Sequence, residues 1–345
     1  MRVLVTGHDG YIGTVLVPRL LERGHDVVGL DTNYFAGCLF TGKIPEVDTL
    51  EKDIRDVEAA DVAGFDAIIH LAGLSNDPLG DYRPHLTADI NETAPVKFAE
   101  LAKAAGVRSF LFASSCSNYG AGGADFLDEH AAFNPVTPYG VSKVKVEAAL
   151  SQMADADFSP TYLRASTAYG LSPLIRFDLV INNLTAWALT TGLVYLKSDG
   201  TPWRPVVHVA DIALAYIAAL HAPREAVHNQ AFNVGTTTEN YQIRELAAMV
   251  QEIVPNCRIE FAPDAGPDTR CYRVDCNKIA RVLHEFKPQW TARRGVEELY
   301  ECYRQVGLTL DDFEGARYKR IAHVKKLVDD GRLDGDLRWC RPVAG

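Results

Sequence analysis

The sequence has no C-x-x-C pair, no apolar run long enough for a membrane span and no internal repeat. Its seven cysteines are scattered along the chain, which argues against a disulfide framework and against a zinc site. Positive charge is also scarce, since the chain has 35 Lys and Arg against 45 Asp and Glu, which gives a net charge of −10. Nucleic acids and anionic membranes both reward excess Lys and Arg. These absences predict a cytoplasmic protein with reduced thiols, no metal centre, and no nucleic-acid or membrane partner.

Short apolar strands alternate with helical stretches in the first half of the chain. Strands are predicted over residues 2–6, 26–30, 66–70 and 107–115. Helices are predicted over residues 11–23, 86–105 and 138–153. This alternation predicts an α/β fold, with a doubly wound parallel sheet that carries helices on both faces. Beyond about residue 170, seven prolines between positions 173 and 267 break the chain into shorter pieces.

Three glycines join the first predicted strand to the first helix in the segment T-G-H-D-G-Y-I-G. Gly7 permits a tight turn, Gly10 lets a pyrophosphate approach the backbone, and Gly13 lets the helix pack closely on the strand. Tyr11 and Ile12 lie at the helix N-terminus, which faces the anion. A glycine turn between a strand and a helix therefore predicts a dinucleotide-binding site.

Two aspartates follow the next predicted strands. Asp31 lies 18 residues after Gly13, where a carboxylate can accept both ribose hydroxyls of NAD and repel the extra phosphate of NADP. The alternative for Asp31 is a plain turn residue. Asp53 and Ile54 lie where an adenine edge would pack, and a helix-capping role for Asp53 is almost as well supported. We therefore expect NAD as the cofactor.

Of the 14 tyrosines, only Tyr139 has a lysine, Lys143, at the fourth position after it. On a helix these two residues lie on one face, about 6 Å apart along the axis. The ammonium there favours the phenolate and lowers a pKa that is about 10 when unperturbed. A tyrosine prepared in this way can remove a proton from a sugar or alcohol hydroxyl near neutral pH. Alone, the pair favours a solvated tyrosine near a chance lysine; together with the glycine turn it predicts a catalytic centre.

Taken in order, these features resemble the extended short-chain dehydrogenase/reductases of the nucleotide-sugar epimerase and dehydratase group. The resemblance covers about residues 1–300 and rests on the glycine turn, Asp31, His70-Leu71-Ala72-Gly73, Asn91, Ser114-Ser115, Tyr139, Lys143 and Arg204. It implies a Rossmann-type fold. It also implies that Leu71, Ala72, Gly73 and Asn91 join the cofactor site, that Lys143 bonds the nicotinamide ribose, and that Ser115 bonds the reacting sugar oxygen.

The resemblance also suggests how the chain is divided. Residues 1–170 are expected to form the dinucleotide-binding domain, to which residues 206–235 return. Residues 171–345 are expected to form a smaller, mixed α/β substrate-binding lobe with a C-terminal helical tail. The basic helix near 317–326 is interpreted as packed or solvated, without a binding role. A homodimer built on the helices near 91–105 and 138–153 is implied as well.

One departure from the group narrows the chemistry. Its dehydratases carry an Asp-Glu pair directly after the catalytic Ser or Thr, and its decarboxylase branch carries Ser-Glu. This chain has Cys116-Ser117 after Ser115, and neither side chain readily supplies an acid and a base for loss of water. Dehydration and decarboxylation are therefore disfavoured. No basic residue adjoins Cys116 in the sequence, so its thiol is interpreted as packing.

The substrate side is predicted from weaker matches. Arg204, within W-R-P-V-V-H-V-A-D, is expected to bind phosphate because a guanidinium donates two parallel bonds. The alternative for Arg204 and for Arg176 is a surface ion pair. A second arginine normally lies in R-x-G-D, which this chain lacks; Arg270 and Arg273 are the two candidate replacements. Arg176, followed by Asp178, also resembles the hexuronate 4-epimerases, where that arginine meets a carboxylate. The candidate substrate residues are Ser75, Ser115, Cys116, Ser117, Arg176, Asn182, Asn183, Lys197, Arg204 and Arg270.

The resemblance favours NAD-dependent epimerisation of a nucleotide-diphosphate sugar at C4, through a transient 4-keto sugar. A nucleotide-sugar 4-ketoreductase or dehydrogenase with net redox is the main alternative. A dinucleotide-sensing protein that has lost the chemistry is a third hypothesis, against which the intact Ser115, Tyr139 and Lys143 argue.

Overall fold

The computed structural model describes residues 1–44, 46–75, 83–266 and 270–340. In chain order the strands are β1 Arg2–Thr6, β2 Asp26–Asp31, β3 Asp48–Glu51, β4 Ala67–His70, β5 Ser109–Ser115, β6 Ala121–Leu127, β7 Ser159–Ala165, β8 Thr167–Tyr169, β9 Leu193–Ser198, β10 Trp203–His208, β11 Gln230–Val234, β12 Asn240–Gln242, β13 Arg258–Gly266 and β14 Cys271–Val274.

The α-helices are Gly13–Glu22, Pro84–Ala88, Ala94–Ala104, Pro138–Met153, Val180–Thr191, Val209–His221, Arg224–Val227, Ile243–Ile253, Asn277–Val282, Ala292–Val306, Leu310–Glu314 and Arg320–Asp329. Tighter 3₁₀ turns cover Ile54–Asp56, Ala59–Val62 and Cys116–Tyr119, and a wider π turn covers Asp89–Thr93. Within the described ranges, no helix combines the length and apolar character that crossing a membrane requires.

A seven-stranded parallel sheet in the order β11-β7-β5-β4-β1-β2-β3 forms the centre of the molecule. In β1, Val3 and Val5 belong to the core on one face and Leu4 to the core on the other. All three side chains are fully buried, as a strand covered by helices on both faces requires. The predicted α/β fold with a doubly wound, Rossmann-type sheet is confirmed.

The strand register sets the position of the site. Thr6, the last residue of β1, lies opposite Leu30 of β2 on one side and His70 of β4 on the other. The chain order reverses here, because β2 and β3 extend the sheet in one direction and β4 in the other. A crevice opens at such a switch point beyond the carboxyl ends of the strands. The glycine turn leaves β1 at this point.

The rest of the chain adds three small sheets and then rejoins the large one. They are the three-stranded sheet β12-β10-β8 and the pairs β13-β9 and β14-β6. After β10 the helix Val209–His221 packs beside Gly13–Glu22, and β11 extends the edge of the central sheet. The exact division into two lobes stays a prediction.

The helix predicted over residues 86–105 is two helices separated by the π turn Asp89–Thr93. Pro95 lies in the first turn of the second helix. Proline has no N–H to donate and crowds the carbonyl four residues earlier, so the regular ladder cannot run through it. The predicted helical stretch is therefore confirmed in its extent, but the π turn within it was missed, and Pro95 was the local signal for that turn.

Candidate active site

The glycine turn is folded so tightly that side chains on it would meet neighbouring backbone atoms. Gly7 has a φ of +70°, a conformation that favours glycine. A Cβ at Gly13 would lie 2.3 Å from the carbonyl oxygen of His8, and one at Gly10 would lie 3.0 Å from that of Gly7. The backbone at the start of helix Gly13–Glu22 is thus free to meet an anion. We call the space above it the glycine cleft, whose wall includes Gly7, Asp9, Gly10, Tyr11, Ile12, Gly13, Asp31, Asp53, Ile54, Leu71, Ala72, Gly73, Leu74 and Ser75.

Asp31 lies at the end of β2 and in the wall of this cleft. Its carboxylate accepts bonds from the backbone N–H of Asn33 at 2.9 Å and of Asp9 at 3.3 Å. Burial raises the pKa of Asp31, and those two N–H groups act in the opposite direction. The carboxylate is therefore held in one orientation at the cleft, with acceptor capacity left for hydroxyl donors.

Asp53 has the capping role that the sequence left open, whereas its place at an adenine edge stays a prediction. Its carboxylate accepts from the backbone N–H of Arg55 at 2.9 Å and so caps the turn Ile54–Asp56. It also pairs with the Arg55 guanidinium at 2.7 Å. Asp53 and Ile54 line the glycine cleft as well. The cap therefore fixes the wall that would receive an adenine ring.

Asn91 does not line the cleft, which corrects its direct assignment to the cofactor site. Its side chain is 1% exposed. The carbonyl oxygen accepts from the Leu74 N–H at 2.8 Å, and the amide donates to the Leu74 carbonyl at 2.9 Å. Both ends of the amide are thus used within the protein. Asn91 thus holds the backbone of Leu74 in place, within the Leu71–Ser75 segment of the cleft wall.

Tyr139 and Lys143 lie in the first turns of helix Pro138–Met153, where Thr137 accepts from the Gly140 N–H as N-cap. Lys143 Nζ is 5.4 Å from the centre of the Tyr139 ring and 4.7 Å from that of Phe112. The lysine is buried, and burial lowers its pKa to about 8, against the effect of the Glu147 carboxylate. The ammonium thus remains mainly protonated at neutral pH beside the phenol.

Ser115, Ser117 and Tyr139 all line a second space, which we call the tyrosine cavity. The Ser115 hydroxyl oxygen accepts from the Ser117 N–H at 3.1 Å and from the Ser117 hydroxyl at 2.9 Å. Because both bonds end on its oxygen, the Ser115 proton is available for a ligand in the cavity. Ser117 orients Ser115, a role that its sequence position did not reveal.

Two predicted substrate residues face inward instead. Cys116 is fully buried, its Sγ donates to the Arg164 carbonyl at 3.1 Å, and burial raises its pKa to about 12. Asn182 is also fully buried and binds backbone groups of Gly170 and Arg176. Their assignment to the substrate site is wrong, because each side chain is used to satisfy buried backbone groups.

The tyrosine cavity encloses about 940 Å³, a volume at the upper end of those that hold small molecules. Arg204 and Arg270 line it, and the Arg204 guanidinium donates to the carbonyl of Arg270. Arg273 instead lies between the rings of Phe126 and Trp203, at 3.9 and 4.3 Å. Of the two candidate replacements for the R-x-G-D arginine, only Arg270 is in the cavity wall. Lys197 and Asn183 also line it.

Arg176 and Ser75 line both the glycine cleft and the tyrosine cavity, and so mark their junction. The Arg176 guanidinium pairs with Asp178 at 2.6 Å and donates to the Ser75 carbonyl at 3.1 Å. The sequence placed Arg176 near a sugar carboxylate. In the structure its charge is already matched by Asp178.

A buried ion pair behind the site was not found from the sequence. Glu147 and Arg164 pair at 2.6 Å, each with about 6% of its side chain exposed. Glu147 also accepts from the hydroxyl of Ser114 and from the amide of Asn118. This network joins helix Pro138–Met153 to β5 and β7, and so holds Tyr139 and Ser115 in relation to each other. No local pattern indicates it, because the partners are 17 or more residues apart.

The C-terminal helix lies beside both spaces. It runs over Arg320–Asp329. Arg320 lines both spaces, Val324 lines the glycine cleft, and Lys319 and Ile321 line the tyrosine cavity. The interpretation of this tail as a packed helix is confirmed, since Val324 and Leu327 are buried, whereas the absence of a binding role stays a prediction.

Comparison with known proteins places the chain in a family. Residues 3–235 match the model of the NAD dependent epimerase/dehydratase family. The chain belongs to that family. It is 31% identical over 320 residues to the UDP-glucose 4-epimerase of Mycolicibacterium smegmatis, covering 88% of this family member and 99% of that enzyme.

Two solved structures are similar to this NAD-dependent family member. One is MoeE5 in complex with UDP-glucuronic acid and NAD, with a TM-score of 0.77, 27% identity, and coverage of 88% of this chain and 99% of that one. The other is the Thermus thermophilus UDP-glucose 4-epimerase in complex with NAD, with a TM-score of 0.72, 26% identity and the same coverage. The predicted family and its NAD cofactor are confirmed.

The glycine cleft of this epimerase/dehydratase-family enzyme fits NAD. The bare turn at Gly7, Gly10 and Gly13 gives a pyrophosphate the close approach to backbone N–H groups that it needs. Asp31 offers acceptors for ribose hydroxyls, and its negative charge disfavours an additional 2′-phosphate. The donor set of the cleft therefore agrees with the family's cofactor.

Proposed function

We propose that this enzyme epimerises a nucleotide-diphosphate sugar at C4. The observation that carries the proposal is that Tyr139 and Ser115 line one cavity, which meets the glycine cleft at Ser75 and Arg176. A sugar in that cavity would lie between a proton acceptor and a dinucleotide site. The relatives named UDP-glucose 4-epimerase support the same reaction.

Each side chain has a separate role in the proposed reaction. Tyr139 removes the proton of the C4 hydroxyl, while the Lys143 ammonium near its ring stabilises the phenolate. Ser115 donates its hydroxyl proton to the same sugar oxygen and so fixes its position. NAD, when bound, supplies a hydride acceptor that later returns the hydride. Rotation of the 4-keto sugar within the cavity then presents its other face, and Tyr139 returns the proton.

The carboxylates of the cavity argue against dehydration and decarboxylation. Among the described residues in its wall, the carboxylates are Asp178 and Glu314. Asp178 pairs with Arg176 at 2.6 Å and Glu314 with Lys319 at 2.7 Å. An acid–base pair for loss of water needs a carboxylate beside the reacting carbons, and neither of these is close to Ser115 in sequence or free of a cation.

Arg204 and Arg270 are proposed to bind the substrate diphosphate. Both line the cavity, and guanidinium groups suit phosphate oxygens. Since the named relatives act on or bind UDP-sugars, UDP-glucose, UDP-galactose and UDP-glucuronate are the first compounds to test.

The proposal is tested by incubating purified enzyme with each UDP-sugar and no added NAD, and following product stereochemistry by NMR. We expect the C4 epimer to appear without accumulation or loss of reduced nicotinamide. A net 4-ketoreductase or dehydrogenase would instead change reduced nicotinamide in proportion to product. That result would replace the proposal with the alternative.

Tyr139→Phe is the decisive variant. It should retain bound NAD and lose about 10²- to 10⁴-fold in turnover, the usual contribution of a positioned proton donor and acceptor. Bound NAD is measured by extraction and chromatography, and turnover by NMR. A variant with full activity would contradict the assigned role of the phenol.

Two broader features are also proposals. We infer a homodimer in which Ala94–Ala104 and Pro138–Met153, which pack side by side, meet the same helices of a second copy; light scattering tests the mass. We infer a cytoplasmic enzyme, supported by seven free cysteines, which suit a reducing compartment. Cell fractionation tests that location.

A further inference from the structure

The C-terminal segment, residues 320–340, forms a strap beside the wall of the glycine cleft that contains Asp31 and Asp53, where we expect the adenosine of NAD. The Trp339 indole donates to the Thr32 carbonyl at 2.6 Å, and His323 Nε2 lies 2.9 Å from the Tyr34 carbonyl. Arg338 pairs with Asp53 at 3.3 Å. Val324 and Leu327 are buried in the core. The strap is thus fixed to the loop that follows Asp31 and to the turn that follows β3.

This packing holds Arg320 at the junction of the glycine cleft and the tyrosine cavity. The carbon of its guanidinium lies 4.4 Å from the centre of the Phe35 ring. In the part of the chain that the structure describes, no carboxylate forms an ion pair with it. The other cations of the cleft differ, since Lys52 pairs with Asp61 and Arg176 with Asp178, at 2.7 and 2.6 Å.

The surroundings of Arg320 are unfavourable to a cation without a counter-ion. Burial lowers its pKa to about 10, and the nearby charge of Arg176 acts in the same direction, whereas Asp178 and Asp31 act in the opposite direction. The group is therefore still charged at neutral pH. The residue is partly exposed in the cleft wall, and a partly desolvated charge without a partner is costly, so a ligand anion at this place would relieve that cost.

The glycine turn itself supplies no cationic side chain for a bound pyrophosphate. Its own side chains are Asp9 and the buried His8, which bonds Thr49. Asp31 and Asp53 add further acidic groups to the cleft wall. A pyrophosphate on the turn is thus approached by carboxylates and backbone N–H groups, and needs a cation from elsewhere.

We propose that Arg320 binds the pyrophosphate of NAD from the side opposite the glycine turn, and that the strap exists to hold it there. Arg320 lies outside residues 3–235 that match the family model, so the family motifs do not include it. A guanidinium can donate two parallel bonds to phosphate oxygens. The substrate diphosphate has its own candidates in Arg204 and Arg270, which line the cavity and not the cleft.

The test is Arg320→Gln in the full chain, with Arg320→Lys as the conservative variant and Lys326→Gln as the matched control. Lys326 is on the same helix, 61% exposed and paired with Asp330. Calorimetric titration of protein freed of cofactor should show NAD and ADP-ribose binding weakened roughly 10- to 100-fold by Arg320→Gln, the effect of one charge-assisted bond. Adenosine, which has no pyrophosphate, should bind as to wild type. Arg320→Lys should fall between, and Lys326→Gln should match wild type.

Two results would overturn the proposal. The first is unchanged NAD affinity in Arg320→Gln with a raised KM for UDP-glucuronate alone, which would assign Arg320 to a sugar carboxylate. The second is equal weakening of adenosine and ADP-ribose, which would make the residue merely structural. If Arg320→Gln fails to fold, Arg320→Met, which keeps the apolar stem against Phe35, gives the same comparison. The binding readouts need no turnover, so they remain informative even if the proposed epimerisation is refuted.

Discussion

Lys143→Met should make the fold more stable while it disables the site. The wild-type lysine is 5% exposed, and its ammonium nitrogen lies 4.7 and 5.4 Å from the centres of the Phe112 and Tyr139 rings. Burial lowers its pKa from 10.5 to about 8, which corresponds to roughly 3 kcal/mol against the folded state at neutral pH. Cation–π attraction to the two rings offsets about 1 to 2 kcal/mol of this desolvation cost. Methionine keeps the apolar stem, so we expect a net gain of about 1 to 2 kcal/mol.

The sign of the pH dependence follows from proton binding. Between about pH 8 and pH 10.5 the unfolded chain holds the lysine proton and the folded chain has released it. Stability of the wild type therefore rises with pH in that window, relative to a variant without the lysine. The advantage of Lys143→Met should be full below about pH 8 and should fade as the pH approaches 10.5.

The assay is urea unfolding of NAD-free wild type and variant at several pH values from about 7 to 10. NAD must be absent, because a lysine that bonds the cofactor would add stability by mass action. Lys145→Met, two positions along the same helix, is the control; Lys145 is 57% exposed and pairs with Glu92, so its removal should change little. A Lys143→Met protein that is less stable at neutral pH, or an advantage that does not vary with pH, would refute the reasoning. Its turnover should fall with that of Tyr139→Phe.

Two further predictions concern the scaffold of the site. Glu147→Gln leaves the Arg164 guanidinium buried without its counter-charge and should lower the free energy of unfolding by about 3 to 5 kcal/mol, measured by denaturation. The double variant Glu147→Leu, Arg164→Met should recover most of this loss of stability. If it recovers none, the loss does not come from the unpaired charge. Gly13→Ala puts a Cβ 2.3 Å from the His8 carbonyl oxygen, and the protein should therefore be purified without NAD. Gly37→Ala, whose Cβ would have no atom within 4 Å, should keep its NAD. If Gly13→Ala retains the cofactor, the turn can adjust to the added methyl group.

The parts of the site that the sequence predicts are those encoded over short distances. The glycine turn needs only a strand, three glycines and a helix, and each glycine has a local steric reason. Tyr139 and Lys143 share a face because of helix geometry alone. The π turn Asp89–Thr93 was missed, although Pro95 shortly after it was a local signal.

The failures have a common physical origin. Cys116 and Asn182 are polar residues at positions adjacent to true cavity residues, Ser115 and Asn183. Whether such a side chain faces the cavity or a buried backbone group depends on which carbonyls and N–H groups need partners there. Those groups come from Arg164 and Gly170, so no short stretch of sequence contains the answer. The same limit applies to the Glu147 and Arg164 pair.

Arg320 is the residue at the cleft that lies farthest along the chain from the glycine turn, and its proposed role bears on the reaction. An enzyme that removes a hydride and returns it to the same sugar has no net use for free NAD, so release between turnovers would only interrupt catalysis. A strap that bonds Thr32, Tyr34 and Asp53 covers the wall where we expect the adenosine, and a cation on it would secure the pyrophosphate. The arrangement therefore suits a permanently held cofactor better than one exchanged at each turnover, and favours epimerisation over net reduction.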